Sequence, residues 1–269
     1  VTDFPGDMKT AQAPVWDRTW SSGETAAAVG RLDRIIFRQI ARHVDPRGKE
    51  VLELGCGRGI LSKYFLDRGA SAATLVDFSQ EAIKLARNLI GDSRARFVPM
   101  PILDLPETDR YDIVFSSGVA EHFSGAIRER IVAKHLALSR GQVVLIVPAR
   151  PHFNTVRHRK PRTVRFFGWQ YAFDRKEMAS LLGRDKTFRL VVNRRFHCLY
   201  GISAYELFAV DRRGAFFRLW NFALRSFDRL MEWTRLNRVA EAVLKPIDGA
   251  CGGLLIAVAV KEAGGEGRP

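Results

Sequence analysis

Short apolar runs alternate with amphipathic stretches through the first half of the chain. Residues 50–54, 72–76, 95–99, 112–117 and 142–147 are brief, apolar and bounded by turn residues, and they predict strands. Between them, residues 60–68, 79–90 and 124–138 carry apolar positions at helical spacing. Ser79 is placed to cap the second of these helices, with Glu81 in its first turn. Upstream, Leu32, Ile35, Ile36, Ile40 and Val44 mark a helix over 30–44, ended by Asp45-Pro46-Arg47-Gly48. Residues 1–25 show no period and read as irregular. Strand and helix signals in alternation predict an α/β architecture, a parallel sheet covered on both faces.

After Pro148 the pattern changes. Residues 150–162 form a basic loop punctuated by prolines, with His152 and His158 in it. Phe173–Leu182 reads as a helix, and Phe188–Cys198 and Gly252–Val260 read as strands. The last run is too short to cross a bilayer, which needs about 20 residues. Between those strands lies a long insertion, roughly 200–250, and long connections usually have a function or their own structure. Within it, Ala215–Thr234 is rich in Phe, Trp and Leu, while Arg218, Arg225 and Arg229 share a different face. This amphipathic helix is open to three readings: ordinary core, a lid over a lipophilic pocket, or contact with a membrane surface. A second short helix, Leu236–Leu244, should stop before Pro246.

Charge divides the chain unevenly. Of 43 Lys+Arg and 29 Asp+Glu, residues 148–269 hold 23 and 11. The C-terminal half therefore carries +12 of the net +14. Such asymmetry suits an anionic carrier, substrate or membrane surface, or simply a solvated arginine-rich face. Cys56, Cys198 and Cys251 match no metal spacing, and a reducing, cytoplasmic setting is expected, with peripheral membrane contact left open. The N-terminal residues lack a signal-peptide core.

The candidate chemistry lies in Val51-Leu-Glu-Leu-Gly-Cys-Gly-Arg-Gly59. An apolar strand runs into three alternate glycines and then a helix, the arrangement of a ligand-binding turn. Asp77 ends the next strand and is placed to take both hydroxyls of a ribose. The spacing is G-x-G-x-G rather than the G-x-G-x-x-G of nicotinamide sites, and Glu53 would sit near a pyrophosphate. A cationic ligand suits that acid better. No GxxxxGK[ST] pattern occurs, so ATP-driven phosphoryl transfer has no support.

The order E-x-G-x-G-x-G, strand-end acid, Asp104 in Pro101–Pro106, Tyr111–Phe123 and Gln142–Pro148 resembles class I S-adenosylmethionine-dependent methyltransferases. Around Glu121-His122 it is similar to the small-molecule, ubiquinone-type O-methyltransferases. The resemblance implies a Rossmann-like, seven-stranded, mostly parallel sheet, completed by an antiparallel pair and carrying a helical C-terminal insertion. It implies one domain over 1–269: a cap segment (1–30), a cofactor core (31–198), the insertion (199–250) and a final strand (251–262). Glu53, Gly55, Cys56, Gly57 and Gly59 would surround the methionine part of S-adenosylmethionine. Asp77 would hold the ribose, Asp104 the adenine, and Phe78, Leu103 and Ser117 would line the same cofactor site. Trp16 and Trp20 either close over the cofactor or pack. Glu121, His122 and His152 are the candidates on the acceptor side. Some relatives pair Glu-His with an earlier Glu as a metal site; Gly118 stands there, so no metal is expected.

The resulting expectation is methyl transfer to a small, lipophilic metabolite, on oxygen first. An RNA methyltransferase is the alternative, though Ser116-Ser117-Gly118-Val119 lacks the Asn/Asp-Pro-Pro-aromatic stretch of amino-directed base methyltransferases, and nucleic acid is disfavoured. A non-catalytic binding or scaffold protein of this fold is the other alternative; the intact glycine loop and both acids weigh against it.

Overall fold

The computed structural model describes residues 8–21, 31–150, 168–197 and 237–262, together with Val164 and a few positions between 214 and 230. Seven strands form one sheet: β1 Glu50–Leu54, β2 Ala72–Asp77, β3 Ala95–Pro99, β4 Tyr111–Ser117, β5 Ser139–Pro148, β6 Phe188–Phe196 and β7 Leu254–Lys261. Their order is β3-β2-β1-β4-β5-β7-β6. The first five run parallel, and β7 lies antiparallel between β5 and β6. The helices are α1 Met8–Ser21, α2 Arg31–Ile40, α3 Ile60–Asp67, α4 Gln80–Ile90, α5 Gly125–Ala137, α6 Arg175–Leu182 and α7 Asn237–Cys251.

Alternation along the strands splits the core in two. Val51, Ile113, Phe115, Val144, Ile146, Ile256 and Val258 face one side, with Phe37 and Phe65 from α2 and α3. Leu52, Leu54, Val114, Val143, Leu145, Leu255 and Ala257 face the other, with Ile131 and Met178 from α5 and α6. Strands buried on both faces read as continuous apolar runs, which is why β5 and β7 were visible. Ser79 caps α4 as expected, its hydroxyl accepting from the Ala82 amide.

Four expectations need correction. Residues 8–21 are helical rather than irregular; apolar period is weak in a helix whose partners are loop and ligand-site residues rather than a core. The helix placed at 236–244 runs through Pro246 to Cys251. Proline removes one amide bond but does not end a helix that packs along the edge strand β6. The helix placed from Phe173 starts at Arg175, because the Asp174 side chain accepts from the Glu177 amide and caps it there. β5 begins at Ser139, three residues before its apolar run, where Tyr111 pairs with Ser139. His152, His158 and Cys198, and most of the 199–236 insertion, lie outside the described residues. Among those described, no helix is long and apolar enough to cross a membrane.

Candidate functional site

The glycine loop sits at the carboxyl ends of β1 and β2, where an open α/β sheet leaves a crevice. The amides of Gly55 and Cys56 both donate to the Val76 carbonyl, at 2.8 and 2.9 Å, tying the loop to β2. Two of its glycines are required by geometry. Gly55 has φ +70°, and a Cβ there would lie 2.5 Å from Val119 Cγ2. Gly57 has φ +50°, and a Cβ there would meet the Trp20 ring at 2.8 Å. Positive φ disfavours any side chain, and here the space is filled as well.

Asp77 links the two strand ends. Its Oδ2 accepts from the Gly57 amide and its Oδ1 from the Ser79 amide, each at 2.9 Å. Burial raises its pKa, opposed by those amides. The Met100 amide donates to the Asp77 carbonyl at 2.9 Å, which brings the end of β3 beside it. A 3-10 turn, Ile102–Asp104, follows at that end; Leu103 is half-buried and Asp104 exposed. Phe78, next to Asp77, is 40% exposed, a large aromatic face left available beside the acid. The shared carboxyl edge thus brings together Gly55, Gly57, Gly59, Asp77, Phe78, Leu103 and Asp104.

Glu53 has a different environment from the one its sequence position suggested. Its Oε2 accepts from the Ser62 amide and hydroxyl, at 3.2 and 2.5 Å. Burial pushes its pKa up to about 8, so the proton stays on at neutral pH. It secures the first turn of α3 beneath the loop, and a cationic ligand nearby would favour its ionised form. Cys56 is buried with its thiol pKa well raised by desolvation, which makes it an inert packing residue.

The acceptor side is built at the end of β4. Ser117 is half-buried, and the Gly118 amide donates to the Ile146 carbonyl at 3.0 Å. Glu121 and His122 follow in a second 3-10 turn, Ala120–His122, and both are buried. His122 Nδ1 lies 3.0 Å from the Trp169 carbonyl, which can only accept, so Nδ1 carries the hydrogen of the neutral ring. Burial lowers its pKa to about 4, against the pull of the Trp169 and Gly118 carbonyls. Glu121 is pushed up to about 8 by burial, and its Oε2 has no hydrogen-bond partner. Its Oε1 lies 3.9 Å from His122 Nε2 and would be 3.6 Å from a Cβ on Gly118. Two opposed shifts thus keep a neutral acid beside a neutral base, with the acid's second oxygen unsatisfied. Gln170 Oε1 is also buried without a partner. Buried polar atoms left unpaired are uncommon, and they cluster where a ligand completes the bonding.

Segments outside the sheet complete the site, and of their residues Asp17, Trp169, Tyr171 and Arg128 had no sequence signal to single them out. From α1, Trp20 covers Gly57, and Trp16 stands edge-on to His122 with centroids 4.9 Å apart. Asp17 Oδ1 accepts from the Ser79 hydroxyl at 2.6 Å, pinning α1 over the strand ends. Of the two sequence readings for Trp16 and Trp20, their contacts with Gly57 and His122 put them over the site. Trp169 and Tyr171 lie 6.2 Å apart, and the Tyr171 amide donates to the Glu121 carbonyl. Arg128 of α5 secures that segment: it donates to the carbonyls of Phe123 and Tyr171, pairs with Glu177, and lies 4.0 Å from the Phe173 ring centre. Among the described residues, no cluster of His, Cys, Asp or Glu could hold a metal ion.

S-adenosylmethionine fits these residues: a turn of positive-φ glycines closes the first strand end, the buried acid Asp77 stands at the second, and the exposed Phe78 ring lies beside it. Residues 51–142 match the methyltransferase domain family. Over 114 residues, 40% of this chain, it is 33% identical to the tRNA U34 carboxymethyltransferase of Serratia proteamaculans (strain 568), covering 35% of that protein. The corresponding protein of Vibrio atlanticus (strain LGP32) is 35% identical over 115 residues. The chain spans about a third of the length of these curated relatives. Among solved structures, it is similar to the 1,6-didemethyltoxoflavin-N1-methyltransferase of Burkholderia thailandensis with bound 1,6-didemethyltoxoflavin and S-adenosylhomocysteine. That match has TM-score 0.56 and 21% identity, over 97% of this chain and 94% of the other. The magnesium protoporphyrin IX methyltransferase of Synechocystis PCC 6803 matches at TM-score 0.54 and 14% identity, over 94% of this chain and 95% of the other. Both likenesses are of fold.

Proposed function

We propose that this chain, whose residues 51–142 match a methyltransferase domain, is a class I S-adenosylmethionine-dependent methyltransferase that methylates a small, lipophilic acceptor, on oxygen. The observation that carries this reading is the aromatic character of the β4 edge: Trp16 stands edge-on to a buried, neutral His122, whose Nδ1 meets the Trp169 carbonyl, and the half-buried Trp169 and Tyr171 rings pair in the segment held against Glu121. Half-buried aromatic side chains favour an apolar, flat acceptor. The described arginines nearest that frame do not serve a phosphate backbone. Arg128 is committed to Glu177 and two carbonyls, and Arg150 to Asp174 and Glu177.

In this reading Glu53, Gly55, Cys56, Gly57 and Gly59 hold the methionine part, with Trp20 excluding water above Gly57. Asp77 takes the ribose hydroxyls, and Phe78, Leu103, Asp104 and Ser117 line the adenine side. S-adenosylmethionine supplies a methyl group already activated by its sulfonium charge, so the protein's main work is alignment. A ring with a pKa of about 4 is a weak base at neutral pH, so His122 would accept the hydrogen bond of the acceptor hydroxyl and orient it, and the proton released as the O–CH3 bond forms and the neutral thioether leaves would pass to water. Protonated Glu121 donates beside it. His152 remains a candidate from the basic loop.

The 33% identity to a tRNA U34 carboxymethyltransferase, over 114 residues, favours RNA as the second reading. The test offers the purified protein methyl-labelled S-adenosylmethionine with a panel of phenols and hydroxyquinones, and separately with tRNA. Label in an organic-extractable methyl ether, with kcat lowered about a hundredfold in His122→Ala and cofactor affinity unchanged, is the expected outcome. Label in tRNA alone would overturn the proposal.

A further inference from the structure

The insertion sequence Ala215–Thr234 carries apolar residues over more of a helical circumference than core packing needs. By helical spacing, Phe216, Phe217, Trp220, Leu224, Phe227 and Met231 form one apolar face in the sequence. A second set, Leu219, Phe222, Ala223 and Leu230, recurs at the spacing of a single stripe that also takes in Ser226. Leu219 and Phe222 in that stripe are 67% and 65% exposed, which an ordinary core helix would not leave. The helix α7 repeats the feature one turn apart: Val243 is 67% and Ile247 48% exposed, with exposed Lys245 between them. Exposed large apolar residues in clusters mark contact surfaces.

The charge of the surrounding chain selects the partner. Residues 148–269 carry 23 Lys+Arg against 11 Asp+Glu, and in the sequence Arg218, Arg225 and Arg229 recur at helical spacing, one position before Leu219, Ser226 and Leu230. An apolar stripe bordered by arginines is the pattern of a helix lying in a lipid interface, aliphatic and aromatic side chains among acyl chains and guanidinium groups at anionic headgroups. A second copy of this chain would bring two strongly basic halves together, which repulsion disfavours. RNA offers no partner for Leu219, Val243 and Ile247, since its interfaces are polar and use aromatic stacking.

We propose that the insertion helix and α7 dock this protein on an anionic membrane surface, without spanning it. The docking does not depend on which acceptor is methylated. The test is flotation of the full chain with vesicles of phosphatidylcholine alone and of phosphatidylcholine mixed with phosphatidylglycerol. Binding to the mixed vesicles only, weakened by added salt, is expected. Phe222→Asp should weaken it by about tenfold or more, while Phe222→Leu keeps most of it. Val243→Asp tests α7 in the same way. Affinity for S-adenosylhomocysteine, unchanged in each variant, shows that the fold and the cofactor site are intact. Equal binding to both vesicle types, or no binding, would overturn the proposal. A dimer in light scattering that Phe222→Asp dissociates, or RNA binding that it abolishes, would assign the stripe elsewhere and overturn it equally.

Discussion

Asp77 shows how one residue carries two duties. Its carboxylate accepts from the amides of Gly57 and Ser79, so it shapes both loops that meet at the strand ends. Each oxygen keeps a further lone pair for a ligand hydroxyl. Asp77→Ala should therefore weaken S-adenosylmethionine binding by about a hundredfold or more, since two or more charge-assisted bonds are lost. Asp77→Asn, which keeps one acceptor oxygen, should fall between. Calorimetric titration of both variants, with the melting temperature as a check on folding, measures this. Unchanged affinity in a folded Asp77→Ala protein would sink the ribose role.

At the scale of elements, the site depends on pieces that are not in the sheet. Helix α1 reaches it through three contacts: Trp20 on Gly57, Trp16 on His122, and Asp17 with Ser79. These join the cofactor loop to the acceptor side under one helix. Trp20→Ala should raise the dissociation constant for S-adenosylhomocysteine by about tenfold, the scale of a buried aromatic contact. Amide exchange in residues 8–21 should slow when that ligand is added to the wild-type protein, and slow less in Trp20→Ala. Identical protection with and without ligand would separate α1 from cofactor binding. Across the site, Arg128 does the corresponding work for residues 168–177. Its guanidinium joins α5 to Phe123, Tyr171 and Glu177 with a planar set of donors that lysine could not reproduce.

The whole molecule carries a pH signature from groups that the fold keeps neutral. Glu53 and Glu121 hold their protons to about 8 when folded but release them near 4.5 when unfolded. Their contribution to stability therefore falls as pH rises from about 4.5 to about 8. His122 and His135 titrate near 4 when folded against 6.5 unfolded, so their contribution is lost as pH falls through that range. His135 is fixed by the Ile131 carbonyl and the Ser116 hydroxyl, deep between α5 and β4. Between pH 6.5 and 8 the two carboxyls act alone, each worth up to about 2 kcal/mol. The melting temperature should drop across that window, and Glu121→Gln should flatten the drop. A wild-type melting temperature that rises from pH 6.5 to 8 would show that these carboxyls are ionised in the fold.

The sheet was legible because its signal is local. Strands buried on both faces must be apolar, helices between them must be amphipathic, and the glycines and Asp77 sit at strand ends where a backbone turn and a ligand constrain residue type. The antiparallel β7 was visible for the same reason, as an apolar run from Gly252 to Val260. What the sequence could not hold is contact between distant segments. Nothing near Asp17 announces Ser79, which is 62 residues away, and nothing near His122 announces the Trp169 carbonyl 47 residues on. Burial is also a tertiary property. Glu53 and Glu121 read as charges in the sequence, and only packing around them makes the proton the cheaper partner. The ends of α6 and α7 moved for a related reason, one set by a side-chain cap and the other by packing on β6 that outweighs a proline. The chain alone thus determined the sheet and which residues stand at the carboxyl ends of its strands. Tertiary structure decided which distant side chains close over it and which of its acids are charged, because both depend on neighbours brought together only by folding.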